Sequence, residues 1–323
     1  MNDVANGNGN GVAHAWESAG NWAALSGRWQ TSESACRYTG HGQQEGALGL
    51  GLCLNQKRMT DGEIHAEISL TRTDRTTGGI FVGYQSLNRP YIAACIGAHD
   101  RAYSLVQFVP GYGFRSLTAS GANENLNAGS AYEMQVQFAA QRLRMRVNGV
   151  DVIDSVLDAP LEGTGWGLFA WDDAEVGFAK FELRKHKPKL FVVMPFSEPF
   201  DSLYRDVIKP VAERKELDFK VDRVDEIYGP GVVLDDIRRQ INEAHVVVAD
   251  VSVPNPNVFY ELGYAHALNK PAVLLARRSR DEVTTLPFDI RAYRVVFYDD
   301  TIGGKKRVEE ELERNLRAVL HER

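Results

Sequence analysis

Asp250 to Leu268 reads DVSVPNPNVFYELGYAHAL, an acidic strand end, a Pro/Asn-rich turn and a helix in immediate succession. His245-Val246-Val247-Val248-Ala249-Asp250 is the strand that leads into it. Asn255 has the chemistry to cap free backbone N–H groups, and Pro256 is pre-shaped for the first helical position. Val258, Leu262 and Ala265 then form a packing face. Asn257 and Glu261, four apart, share another.

The same grammar extends on either side. Leu190-Phe191-Val192-Val193-Met194 is a continuous apolar run, as in a strand buried on both faces. Phe200, Leu203, Tyr204, Val207, Ile208 and Val211 follow at helical spacing. A second strand is expected over 217–221. Val233, Ile237 and Ile241 stripe a second helix. Ala272-Val273-Leu274-Leu275 and Tyr293-Arg294-Val295-Val296-Phe297 read as two more strands. Val308, Leu312, Leu316 and Val319 give a last helix. Strand–helix alternation of this kind predicts a parallel, doubly wound α/β sheet, flavodoxin-like in size.

Such sheets bind ligands outside the carboxyl ends of their strands. Pro195, Phe196 and Ser197 follow the first strand, Arg223 and Asp225 the second, and Asp250 the third. Gly231, in Gly229-Pro230-Gly231, has the chemistry of a turn or of a phosphate cradle ahead of a helix. Phe288, in Leu286-Pro287-Phe288-Asp289, precedes the fifth strand. Arg223 suits a phosphate, or equally Asp225 or Asp250. Glu261 lies within the first two helical turns, where the dipole favours a carboxylate. On local grounds it serves the helix, and its place beside the rim is what gives it a chemical reading. An ionised carboxylate there suits an oxocarbenium-like ribosyl centre. A cationic leaving group such as nicotinamide needs no general acid, whereas a purine wants a proton donor. His266 has no metal spacing around it, and no metal site is expected.

The stretch from 16 to 185 has the other period. Ile64, Ala66, Ile68 and Leu70 alternate along one face, and Tyr132 to Phe138 alternate as cleanly. Asn148-Gly149 between two alternating strands is a hairpin signal, since both turn positions favour positive φ. Many short strands with glycine-rich turns predict an all-β antiparallel sandwich. Trp29, Trp166, Trp171 and Tyr112 have the faces to stack on a sugar, although aromatics of a sandwich more often fill its core. Arg184-Lys185-His186-Lys187-Pro188-Lys189 marks the boundary, and the α/β unit runs from 189 to 323. The Asn-Gly repeats of residues 1–15 are too polar to bury, which predicts a disordered tail.

Composition narrows the classes. With 37 Lys+Arg against 43 Asp+Glu in 323 residues, the net charge of -6 is no electrostatic footprint for nucleic acid. Cys36, Cys53 and Cys95 are too few and too scattered for a disulfide framework or a zinc site, which points to a reducing, cytoplasmic setting. No apolar run approaches the ~20 residues of a membrane helix. The first residues lack the pattern of a signal peptide.

Two resemblances stand on these residues. Gly27-Arg28-Trp29, Asp61-Gly62-Glu63-Ile64, Gly78-Gly79-Ile80-Phe81, Arg146-Val147-Asn148-Gly149 and Gly165-Trp166-Gly167-Leu168 resemble, in order, a concanavalin A-like (laminin-G-like) jelly roll. That implies a sandwich whose concave face often takes carbohydrate or protein. Met194-Pro195-Phe196, Arg223-x-Asp225, Ala249-Asp250-Val251-Ser252 and above all Asn255-Pro256-Asn257-Val258-Phe259-Tyr260-Glu261-Leu262-Gly263 resemble the nucleoside 2-deoxyribosyltransferase-like family and its TIR-like relatives. That resemblance implies N-glycosidic chemistry on nucleosides, nucleotides or NAD as substrate, with no cofactor. It maps the nucleophile or key carboxylate to Glu261 and the sugar-positioning acid to Asp250; Asn257 and Tyr260, on the same helix, are candidate substrate contacts beside the rim residues. Members with an extra domain look like defence effectors. The Val253-Pro254-Asn255-Pro256 entry to the helix departs from the transferases, so hydrolysis is expected over base exchange. The expected protein is a homo-oligomeric NAD or nucleotide N-glycosidase with the sandwich as its sensing or docking module. The alternative is a nucleotide-sensing or oligomerising module without turnover.

Overall fold

The computed structural model describes residues 16–18, 21–40, 49–161, 163–172, 174–226, 233–278, 290–299 and 301–321. The tail expected over 1–15, the turn at Gly229-Pro230-Gly231 and the Leu286-Pro287-Phe288-Asp289 stretch lie outside the described residues.

The first half is built from β1 (Glu17–Ser18), β2 (Trp22–Ser26), β3 (Trp29–Thr31), β4 (Ala35–Tyr38), β5 (Leu50–Asn55), β6 (Gly62–Leu70), β7 (Thr77–Tyr84), β8 (Tyr91–Ala98), β9 (Arg101–Val109), β10 (Gly113–Ala122), β11 (Ala131–Ala139), β12 (Arg142–Val147), β13 (Val150–Val156), β14 (Gly165–Trp171) and β15 (Val176–Lys185). One sheet runs β13-β12-β11-β6-β15-β4-β3, with β1 added to β15, and the other runs β10-β9-β8-β7-β14-β5-β2. Every pairing is antiparallel. This is the antiparallel sandwich that the alternation predicts.

Period-two alternation makes the core. Ile64, Ala66, Ile68 and Leu70 of β6 are fully buried, while Glu63, His65, Glu67 and Ser69 between them face outward. Their apolar face meets Ile80, Ile92, Trp166 and Phe178 in one cluster between the sheets. β7 and β8 are buried on both faces. The reason is a second cluster on the outer side of their sheet, where Phe81, Tyr91 and Phe169 pack with Phe108, Phe114 and Trp171. Asn148 and Gly149 turn β12 into β13 with φ of 49° and 79°, the left-handed pair such a hairpin needs. Of the four aromatics considered for sugar stacking, Trp166 is fully buried and Trp29 packs on Tyr38 and Phe178. Tyr112 is 92% exposed at a hairpin tip, and Trp171 stays half-buried.

The sandwich ends at Lys185 and a parallel sheet begins at Lys189. Its elements are β16 (Lys189–Val193), α1 (Phe200–Leu203), a π segment (Tyr204–Ile208), α2 (Lys209–Ala212), β17 (Lys220–Arg223), α3 (Val233–Glu243), β18 (Val246–Asp250), α4 (Pro256–Ala267), β19 (Ala272–Arg277), β20 (Val295–Tyr298) and α5 (Ile302–His321). The strands lie in the order β17-β16-β18-β19-β20, all parallel. Residues of α1, α2, α5 and the π segment cover one face with Leu190, Val192, Val246 and Val248. α3 and α4 cover the other with Phe191, Val193, Val247 and Ala249. The π segment falls where Pro210 has no N–H to return to Asp206.

Two strands differ most from the sequence reading. The second strand is Lys220–Arg223, not 217–221. Leu217 and Phe219 are buried, but Asp218 between them is left-handed (φ 49°) and delays the extended backbone. The last strand is Val295–Tyr298, because Tyr293 leaves the sheet to stack on His266 at 4.3 Å. Among the described residues no helix is long and apolar enough to cross a membrane.

The sandwich core is sensitive at one point above others. Trp166→Ala should cost about 3–5 kcal/mol, read as a lowered denaturation midpoint. Tyr112→Ala, at the 92% exposed site, should stay within about 0.5 kcal/mol of the parent.

Candidate functional site

The carboxyl ends of β16, β17 and β18 bring most of the sequence-predicted residues to one rim, in two groups that are internally satisfied. In the first, Arg223 ends β17 with its side chain only 8% exposed. Its Nε and Nη2 donate to the two oxygens of Asp225 at 2.7 and 2.6 Å, and Nη1 donates to Asp201 at 2.8 Å. The guanidinium lies 4.3 Å from the centre of the Tyr204 ring and 5.4 Å from that of Phe196. Burial works against its charge, but the bonds to Asp225 and Asp201 outweigh it and hold it protonated. Tyr204 donates to Glu226 at 2.8 Å. Of the partners the sequence left open for Arg223, the fold takes Asp225 and adds Asp201 from α1. Phe196 remains 52% exposed, Ser197 is exposed and caps the start of α1 through its carbonyl, and Pro195 is half-buried.

The second group closes over Asp250, which is 1% exposed. Oδ1 accepts the Ser252 amide at 2.9 Å and Oδ2 accepts the Tyr298 hydroxyl at 2.7 Å. Ser252 Oγ in turn accepts the Arg277 amide at 2.7 Å. Burial pushes the Asp250 carboxyl up, against those hydrogen bonds, and pushes the Tyr298 phenol up as well. The sequence pairs Asp250 with Glu261. Instead, Asp250 ties the ends of β18, β19 and β20 together and fixes the turn before α4, because both its oxygens are taken by groups that the strand ends present.

Asn255 caps α4 as expected, accepting the Asn257 and Val258 amides at 2.9 and 3.4 Å, with Pro256 next. Val258, Leu262 and Ala265 face the sheet and are buried. Asn257 is exposed, and Tyr260 is 47% exposed with its hydroxyl 3.3 Å from Arg238. Glu261 is 8% exposed and has no hydrogen bond or ion pair among the described residues. Burial alone pushes its carboxyl up to about 7. The expected dipole-held, low-pKa carboxylate is therefore corrected. Glu261 is the sixth helical residue, past the first turn where the dipole acts, and desolvation decides. At neutral pH the group is divided between its two protonation states.

The described residues hold no cluster of His, Cys, Asp or Glu fit for a metal ion, and the three cysteines are free and buried. Gly231 and Phe288 lie outside the described residues. The sandwich has a site of its own shape, a cavity of about 380 Å³ at one end of its second sheet. Phe114 stands edge-on to Phe169 and Trp171 in its wall, at 74° and 87°, and Asp74, Arg75 and Asp100 line it too.

No family model matches the sequence, and no curated protein matches it. Among solved structures the chain is similar to a carbohydrate-binding module of Bacillus subtilis, at 15% identity over 50% of this chain and 94% of that one, with a TM-score of 0.43. It is similar to a β-glucanase of Bacillus licheniformis at 9% identity, over 55% and 100%, TM-score 0.40. A galectin-like protein of unknown function from Bacillus subtilis is similar at 11% identity, over 54% and 96%, TM-score 0.38. Likeness of this degree leaves ligand and activity open.

Asp201, Tyr204 and Tyr298 belong to the rim but escape the sequence reading. Tyr204 sits in a helical apolar stripe, and Tyr298 lies 48 positions from the carboxylate it serves. Only the strand order brings it there.

The burial of Glu261 has a thermodynamic signature. The folded state holds its proton up to about pH 7, whereas an exposed Glu loses it near its ordinary value of 4.5. The native state binds more protons between those values, so stability falls as pH rises through this window and levels off above it. Glu261→Gln should therefore stabilise the protein at pH 8, by up to ~3 kcal/mol, and have little effect at pH 4.5. Thermal melts of both proteins across pH check this. A destabilised variant at pH 8 would mark Glu261 as a helix-stabilising residue.

Proposed function

We propose that the α/β half is an N-glycosidic bond hydrolase acting on NAD or a related nucleotide, with Glu261 as its working carboxylate. One observation carries the reading. A carboxyl with no partner among the described residues is held at 8% exposure in a helix that starts at the strand-end rim. Burying such a group costs stability. The strand order β17-β16-β18-β19-β20 is that of flavodoxin-like sheets, whose ligands sit outside the carboxyl ends at the switch between the first and third strands. The resemblance of Asn255 to Gly263 to the deoxyribosyltransferase-like and TIR-like families supports the same chemistry.

The reaction follows from the group. The bond between the ribosyl C1′ and the base nitrogen breaks, and its electron pair leaves with the base. Ionised Glu261 stabilises the developing oxocarbenium centre or bonds to it. Water then adds at C1′ and gives up a proton, completing hydrolysis. Nicotinamide departs neutral from its cationic glycoside and needs no proton. A cationic substrate would also draw the Glu261 carboxyl toward its ionised form, offsetting the burial. Asp250 contributes by fixing the turn into α4, and Arg223 by stiffening the far side of the rim.

A second reading concerns the sandwich and rests on its cavity. A cavity walled by Phe114, Phe169 and Trp171 beside Asp74, Arg75 and Asp100 offers a carbohydrate ligand aromatic faces and polar groups together. The whole would be a regulated, defence-type effector with the sandwich as sensor. Its non-catalytic counterpart is a nucleotide-sensing, oligomerising module.

Incubation with NAD, nucleotides and nucleosides, followed by mass spectrometry of released base, tests the first reading. Release should rise with pH through about 7 and then level, as Glu261 ionises. Glu261→Gln should lower it by ~100-fold or more. Tight nucleotide binding without base release over long incubation would assign the non-catalytic module instead. For the sandwich, Trp171→Ala should weaken oligosaccharide binding by ~5-fold or more in calorimetric titrations. A parent that binds no oligosaccharide would remove that reading.

A further inference from the structure

The two halves meet at the amino ends of the parallel strands, opposite the rim. β18 is five residues long, so the seam lies about 16 Å below the carboxyl ends. Among the described residues the side-chain bonds from the sandwich to the α/β half lie at these amino ends. Whatever it does to the α/β half must pass through the elements that it holds from beneath.

Those contacts are specific and buried. Gln141, fully buried in the two-residue turn between β11 and β12, donates from Nε2 to the carbonyl of Leu268 at 2.7 Å. Leu268 is the C-terminal cap of α4, the helix that carries Glu261. In the same turn, Ala140 is left-handed (φ 49°) and its amide is held by Asp61 Oδ1 at 2.9 Å. Asp61 Oδ2 lies 2.5 Å from Nε2 of His245, the residue before β18, and both side chains are 1% exposed. Nδ1 of His245 accepts the Lys189 amide at 3.1 Å, which puts the ring hydrogen on Nε2, close to Asp61 Oδ2 but not aligned on it as a hydrogen bond. At the edge, Glu243 at the end of α3 receives Arg142 of the sandwich at 3.1 Å and Lys189 of β16. Lys270, just past α4, donates to the Asn242 and Ala244 carbonyls at 2.6 and 2.9 Å. The ends of α3 and α4 and the starts of β16 and β18 are thus bound to one another and to two turns of the sandwich.

We propose that the sandwich positions α4, gripping its C-terminal end through Gln141 while the Asp61–His245 pair holds the start of β18 beside it. An α-helix is stiff over this distance. Glu261 lies seven residues from Leu268, about 10 Å along the axis. A displacement of the β11–β12 turn is carried along α4 to the turn that bears Glu261. Gln141 and Asp61 are positioning residues that touch no substrate. That they govern base release rests on the reading of Glu261 above; the grip itself does not.

The test uses the full chain with Gln141→Ala and Asp61→Asn. Gln141→Ala removes the grip and leaves the fold's other contacts. In Asp61→Asn the new amide must accept from Ala140 with its oxygen, and so presents N–H against the N–H of His245. Should that variant fail to fold, Gln141→Ala decides alone. Amide hydrogen exchange is followed through α4. The expected result is exchange at least about 5-fold faster at 257–261, the far end of the helix. Faster exchange confined to 265–269, or none, would overturn the proposal, because a local cap would loosen only its own turn. The Glu261→Gln stability difference at pH 8 is measured again in the Gln141→Ala background. It should shrink as the carboxyl gains water, and an unchanged difference would count against the grip. Base release is assayed on the same proteins. Exchange that responds in a protein without base release keeps the grip and removes the hydrolase. Base release with an indifferent α4 does the reverse.

Discussion

A parallel sheet covered on both faces leaves its polar chemistry only two places, the two ends of its strands. β16, β18 and β19 have almost no exposed side chain between them. Among the described residues, the buried charged or polar side chains of this half other than Glu261 (Arg223, His245, Asp250 and Lys270) lie at the carboxyl or the amino ends. At the carboxyl ends Arg223 and Asp250 close two separate networks, and α4 departs between them carrying Glu261. At the amino ends Asp61, Gln141, His245 and Glu243 close a third. The first end is where such a fold meets ligands, and the second is where this chain attaches its sandwich.

The two networks at the rim divide a task that looks single in the sequence. Arg223, with three nitrogens committed to Asp225 and Asp201, braces one side of the rim. Asp250, with both oxygens committed, is a strand tie. What is left uncommitted is Glu261, whose burial is uncompensated among the described residues. The networks on either side of it are satisfied, so the cost of burying an unpaired carboxyl falls on Glu261 itself.

Much of this was legible in the residues themselves. Alternation along β6 and β11, the Asn148-Gly149 turn, the apolar runs of β16 and β18, and the Asn255-Pro256 start of α4 are local signals, set by period or by capping. What the sequence hid is everything that depends on which distant elements become neighbours. Tyr298 reaching Asp250 requires the strand order. Gln141 reaching Leu268 requires the docking of two domains. The carboxylate that the dipole favours at Glu261 is opposed for the same reason: the dipole is a local property of the helix, whereas desolvation is imposed by what packs around it. The delayed start of β17 shows a smaller version, where buried Leu217 and Phe219 imitate a strand that left-handed Asp218 does not allow.

The polarity of the seam has a consequence for how the chain is made. The sandwich is synthesised first, and until the second half exists its turns around Asp61 and Gln141 face water. Water hydrates a carboxylate and an amide readily, so the nascent sandwich presents no greasy surface there while it waits on the ribosome. An apolar seam of the same area would have exposed a sticky face for the whole time that the remaining half was being translated. Because the junction is built from hydrogen bonds and ion pairs, each half can complete its own core first and dock afterwards. The direction of synthesis and the chemistry of the joint are matched.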